Sequence, residues 1–218
     1  MKFFCLTLIN LLFFVSFGQS IEEEKELLPL IQKQYQNIRS FSGNFIQSSH
    51  HAETKTGPKK AEGLVFYKRP GKMRWLYEEP EEQLLVTNGQ KMWLFDPLLE
   101  NVTVQKLEKI TEGTALSFFL GLGNLQTDFI HREITKNLLI GHDGLILELK
   151  PKKTTANLSF IQLNVNPDTY NLQSIALIDQ QHNYRTIKLI NMKYNFEIED
   201  NFFEFRVSDD MEVIEAGN

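Results

Sequence analysis

Thiols are almost absent from this chain: Cys5 is the one cysteine in 218 residues, and it lies inside the apolar run Phe3 to Phe17. Disulfides therefore cannot staple the fold, and a thiolate zinc site is excluded. Histidine is also scarce. His50, His51, His131, His142 and His182 sit in or beside expected loops without HxxxH or HExxH spacing, so no metal site is read from them. Phosphate loops of the GxxxxGK[ST] type are missing. Gly121-Leu122-Gly123 begins a GxGxxG, but position 126 is Gln and the motif follows a helical stretch where it needs a strand. No GxSxG marks a nucleophile elbow. The carboxylate pairs Glu78-Glu79 and Glu81-Glu82 flank Pro80 and read as solvated turn residues. No catalytic residue, metal or cofactor is expected. Clustered positive charge is lacking too: with 28 acidic against 23 basic residues, nothing suggests nucleic acid as a partner.

The first residues differ in kind from the rest. Lys2 supplies a short positive start, Phe3 to Phe17 is nearly continuous in apolar residues, and Ser16-Phe17-Gly18 has the small-residue spacing of a signal-peptidase site. Residues 1–18 are expected to be a cleaved signal peptide. A membrane anchor is the alternative, but the run falls short of the ~20 residues a spanning helix needs. No later run is long enough either. Residues 19–218 are thus expected to form one exported domain with no thiol at all.

What is present in quantity is the aromatic ring. From Glu62 to Val104 the chain reads as four or five consecutive strands loaded with Phe66, Tyr67, Trp75, Tyr77, Trp93 and Phe95. The strands are punctuated by Arg69-Pro70-Gly71, Glu79-Pro80-Glu81, Asn88-Gly89 and Asp96-Pro97. Asn-Gly between alternating hydrophobics predicts a two-residue type I′ hairpin, so this is a meander. Arg69 opens a turn between two apolar strands. Its five-donor fork suits backbone carbonyls, while the ordinary alternative is a basic turn facing water with Lys68 and Lys72.

On either side the periodicity changes. Leu27, Ile31, Tyr35 and Ile38 share one helical face. Ser20 and Glu23 resemble a capping box, but Pro29 inside a helix costs about 3 kcal/mol, so the helix is predicted from near Leu28 to Ser40. Phe41 to Ser49 reads as a first strand, followed by a polar loop over His50 to Lys60. Thr111 to Leu122 reads as a short apolar helix with Leu116, Phe119 and Leu120 on one side and a glycine stop after it. Strands are predicted at Phe129 to Ile134, Leu138 to Gly141, Leu145 to Lys150, Leu158 to Val165, Leu172 to Asp179, Tyr184 to Tyr194 and Phe202 to Val207. Roughly eleven strands with two or three helices imply a mainly β (α+β) fold, a strongly curved antiparallel sheet closed as a barrel or open as a half-barrel with helices over its mouth.

The run Ser40-Phe41-Ser42-Gly43-Asn44-Phe45-Ile46-Gln47, then Lys68-Arg69-Pro70, Trp75, Pro80, Asn88-Gly89, Trp93 and Asp96-Pro97, resembles the periplasmic outer-membrane lipoprotein carrier family, LolA. Weaker similarity continues near Phe160 to Val165, Ser174 to Gln180 and Phe202 to Phe205. The resemblance implies an unclosed half-barrel whose apolar concave face, under lid helices, takes the acyl chains of lipoproteins. It implies an inner-membrane lipoprotein-releasing ABC transporter as donor, an outer-membrane lipoprotein receptor as acceptor, and a monomer. Phe66, Trp75, Tyr77, Trp93 and Phe95 are then expected to line the cavity, strand parity leaving open which face inward. Leu116, Phe119 and Leu120 are expected under the lid, and Arg69 to latch it through backbone carbonyls. The chain departs from the family where the lid lacks a common proline and where Val207-Ser208-Asp209-Asp210 replaces a segment with Pro and Gly. A rival on the same scaffold is a regulatory module that senses lipid or lipoprotein.

Overall fold

The computed structural model describes residues 19–54, 57–111, 117, 120–139, 141, 143–153 and 158–216. The predicted signal peptide falls outside these residues. Helix α1 (Gln19–Asn37) leads into β1 (Ser40–His50), and the meander follows as β2 (Lys59–Lys68), β3 (Lys72–Glu79), β4 (Gln83–Asn88), β5 (Lys91–Asp96) and β6 (Asn101–Lys106). Short helices α2 (Leu107–Thr111) and α3 (Leu125–Asp128) precede β7 (Phe129–Arg132), β8 (Leu145–Pro151), β9 (Phe160–Val165), β10 (Leu172–Ile178) and β11 (Tyr184–Tyr194). A 3₁₀ turn at Asp200–Phe203 and a last strand, β12 (Glu212–Glu215), complete the order. The twelve strands among the described residues join one curved, unclosed sheet in the order β12-β6-β5-β4-β3-β2-β1-β11-β10-β9-β8-β7. Neighbours are antiparallel throughout, except that β12 lies parallel to β6.

One sheet face carries the main core. Leu28, Ile31, Tyr35 and Ile38 of α1 and its exit pack onto Phe41, Phe45, Val65, Tyr67, Trp75, Leu147, Ile161 and Ile187 of that inner face. The outer face is covered at the meander by the chain after β11. Phe202 meets Phe66 edge-on at 4.9 Å, Phe205 lies 5.4 Å from Phe95, and Phe203 is completely buried.

Several expectations are corrected. Helix α1 runs through Pro29 and ends at Asn37. Pro29 is exposed, so the lost N–H bond lies on the wet side while Leu28, Ile31 and Tyr35 hold the other side to the sheet. The Asn88-Gly89 turn is a four-residue loop rather than a two-residue one, since Thr87 pairs with Met92. Asn88 Oδ1 accepts from the N–H groups of Gln90 and Lys91, and only Gly89 takes positive φ there. Residues 138 and 139 are not a strand; Leu139 instead buries its side chain against Ala176 and Ile178 on the outer face. The predicted strand Phe202 to Val207 is absent: Asp200–Phe203 form the 3₁₀ turn, and Phe202 and Phe205 pack over Phe66 and Phe95 as a cover.

Candidate functional site

The inner face and α1 enclose an apolar cavity bounded by Ile31, Tyr35, Phe41, Trp75, Leu189 and Met192. Its volume is about 30 Å³, room for only a few water-sized spheres. Helix α1 therefore leaves little free space above the inner face. The floor beyond is built of rings: Phe45 lies 4.5 Å from Trp75 and 5.0 Å from Tyr77. Three polar anchors fix the second half of α1: Gln34 Nε2 donates to Asn171 Oδ1 at 2.8 Å, buried Gln32 accepts from the Leu125 N–H at 2.8 Å, and Arg69 grips its end.

Strand register divides the predicted ring residues. Across the β2–β3 hairpin, Val65 pairs with Trp75 and Tyr67 with Met73, so these four share the inner face. Tyr77 follows on that face. Phe66 pairs with Arg74 on the outer face, where Phe202 covers both, the Arg74 guanidinium lying 5.1 Å from the Phe202 ring centre. Trp93 pairs with Val86 and Val104, and Phe95 with Leu84 and Val102, a separate outer cluster closed by Phe205. Phe66, Trp93 and Phe95 thus do not line the cavity, because a period-two strand sends neighbours to opposite faces. Trp75 and Tyr77 remain on the inner face. The residue missed is Tyr67, which the hairpin centred on Pro70 would have revealed once Trp75 was placed inward.

Leu116 and Phe119 lie outside the described residues; Leu120 is fully buried in the main core. Ser117 is helical, and its carbonyl accepts from the N–H of Leu122 at 2.8 Å, with Gly121 at φ +67 between them. That is a Schellman stop, and it is the reason glycine stands at 121. A Cβ there would fall 2.2 Å from Tyr67 Oη and 3.0 Å from Arg69 Nη1.

Arg69 joins this stop to the end of α1. Its Nη2 donates to the Tyr35 carbonyl at 2.8 Å, Nε to the Ile38 carbonyl at 3.3 Å and Nη1 to the Gly121 carbonyl at 3.1 Å. The guanidinium also lies 5.7 Å from the Tyr35 ring centre. The last turn of α1 contains no basic residue of its own, so Arg69 supplies the cation that the orphan carbonyls and the negative helix end favour. The Leu120 carbonyl accepts from the Gly71 N–H at 3.1 Å and from Tyr67 Oη at 3.4 Å. Burial pushes the Tyr67 hydroxyl up to about 12 against the opposing pull of Arg69, and burial also holds Tyr35 well above its ordinary value. Both hydroxyls stay protonated at neutral pH. Among the described residues no three His, Cys, Asp or Glu side chains come together to hold a metal.

Comparison with known proteins gives a single direction. Residues 36–206 match the family described as "Outer membrane lipoprotein carrier protein LolA". The outer-membrane lipoprotein carrier protein of Legionella pneumophila (strain Corby) is 32% identical over 186 residues, covering 85% of this chain and 88% of its own. The protein of the same description from Azotobacter vinelandii is 34% identical over 154 residues, covering 70% and 71%. Among solved structures, an uncharacterized conserved protein from Thermus thermophilus shares the fold with a TM-score of 0.53 at 10% identity, over 88% of this chain and 99% of that one. The chain accordingly belongs to the outer membrane lipoprotein carrier protein LolA family.

Proposed function

We propose that this protein carries acylated lipoproteins through the periplasm as a monomer, receiving them from an inner-membrane ABC transporter and handing them to an outer-membrane receptor. Residues 1–18 would direct export and be removed. The observation that carries this reading is an apolar inner face, walled by Trp75, Tyr77, Phe45 and Leu189, closed by a helix that Arg69 holds through its carbonyl oxygens. In this role α1 and the segment around Leu120 act as the lid, Arg69 is the latch, and Trp75, Tyr77 and Tyr67 form the acyl-contacting floor. The closed cavity is too small for a hydrocarbon tail, so loading requires that the Arg69 bonds break and α1 move. Family membership supports the cargo class, and an acyl chain that water cannot solvate unaided calls for a carrier between membranes.

Mass spectrometry of material co-purified with the exported protein tests this. Acylated polypeptides are expected. Free glycolipid in their place would contradict it.

A further inference from the structure

Beyond the floor, the inner face ends in a cationic row. Lys59 of β2 stands opposite Ser49 of β1, which stands opposite Arg185 of β11. Opposed side chains on one face start about 5 Å apart, so two cations bracket one hydroxyl across three strands. Neither cation forms an ion pair among the described residues. A cavity of about 250 Å³ opens beside Ser49 and Arg185, with His51 and Asn183 on its wall.

Two features prepare this row for an oxyanion. Tyr77 Oη donates to Gln47 Oε1 at 3.2 Å, and Gln47 Nε2 donates onward to Ser49 Oγ at 3.5 Å. Burial raises Tyr77 above its ordinary value, so it stays a donor. The Ser49 oxygen therefore receives a hydrogen bond from within, and its own proton is left to point outward at an acceptor. The carboxylate that lines the cavity, Asp179, is already engaged by the Gln181 and Asn183 N–H groups and by Asn183 Nδ2. Asn183 Oδ1 in turn accepts from the Ala52 N–H at 2.9 Å, which ties the two loops of the wall together.

Moving inward along the strands, the next row on this face is Ala61, Gln47 and Ile187, and the one after it Gly63, Phe45 and Leu189. Polarity falls to hydrocarbon within two rows. We propose that Lys59, Ser49 and Arg185 form an anion site that takes the phosphate headgroup of a lipid whose tail lies on the inner face. This rests on the acyl-cavity reading and extends it to a second ligand class, anionic phospholipid.

The test is titration of the protein with dihexanoylphosphatidic acid, with dihexanoylglycerol, which has the same tails and no phosphate, and with inorganic phosphate. Phosphatidic acid should bind about tenfold tighter than the neutral lipid, the scale of one charge-assisted hydrogen bond. Arg185→Gln and Lys59→Gln should each erase most of that margin. Equal affinity for the two lipids, or a margin that survives both substitutions, would overturn the anion site while leaving the acyl cavity intact. Inorganic phosphate binding as tightly as phosphatidic acid would overturn the lipid assignment. Binding of neither lipid would overturn the acyl reading and this one with it.

Discussion

The Arg69 guanidinium donates to three carbonyls on two segments far apart in sequence, Tyr35 and Ile38 at the end of α1 and Gly121. Hydrogen bonds from a charged donor contribute roughly 1.5–3 kcal/mol each, so the closed state rests substantially on this one side chain. Arg69→Leu should leave cargo acceptance in place, since opening is made easier, and slow release by tenfold or more, since closure no longer competes with cargo; a transfer assay with separated acceptance and release steps reads both. Gly121→Ala should act the same way with Arg69 still in place, because the new methyl would overlap Tyr67 Oη and crowd the Arg69 guanidinium in a conformation that L residues rarely adopt. Release at the wild-type rate in both variants would remove the latch from the account. Of this proposed latch, residue chemistry offers an arginine in a turn whose fork suits carbonyls, and the family resemblance adds the latching role; which carbonyls Arg69 grips is not legible in the sequence. Its partners are backbone atoms, which carry no residue identity and so leave no trace in sequence.

The elements read well where turn chemistry and periodicity agree. The meander was legible because Arg69-Pro70-Gly71, Asn88-Gly89 and Asp96-Pro97 punctuate it, and β11 stands at Tyr184–Tyr194 as predicted. What failed was the assignment of faces and of segments whose partners are distant. Phe66, Trp93 and Phe95 are as apolar as Trp75, and a sheet packed on both faces gives no alternation by which to separate them. Phe202 to Val207 reads as a strand by composition, but its rings are held by the outer face. The turn that carries them is anchored by Asp200, which accepts from both Lys68 and Lys72 and is drawn down from 3.8 to about 2. A depressed carboxylate stabilises the fold above its unfolded value and loses that contribution as pH falls through the folded one. Wild type and Asp200→Asn should therefore differ in melting temperature at neutral pH and converge as pH drops from 3.8 to about 2. A difference that persists below that window would show that the ion pairs are not its source.

For the whole molecule the question is how a carrier binds hydrocarbon and still lets go. Three acyl chains hold on the order of 45 methylenes, and burying each at about 0.8 kcal/mol would exceed 30 kcal/mol. Noncovalent affinity saturates near ~18–21 kcal/mol. On the proposed reading the closed fold answers this with competition: α1 packs Ile31, Tyr35 and Ile38 against the inner face, so a tail would settle there only by displacing those side chains. Delivery can then run downhill to a tighter-binding acceptor without a nucleotide. The central claim is that cargo lies on the inner face under α1, and site-directed photocrosslinking reads it directly. With a photoreactive phenylalanine analogue at Trp75, irradiation in the presence of a triacylated lipoprotein should give an adduct through the acyl chain; the same group at Trp93, on the outer face, should give none. Adducts at Trp93 and not at Trp75 would contradict the account.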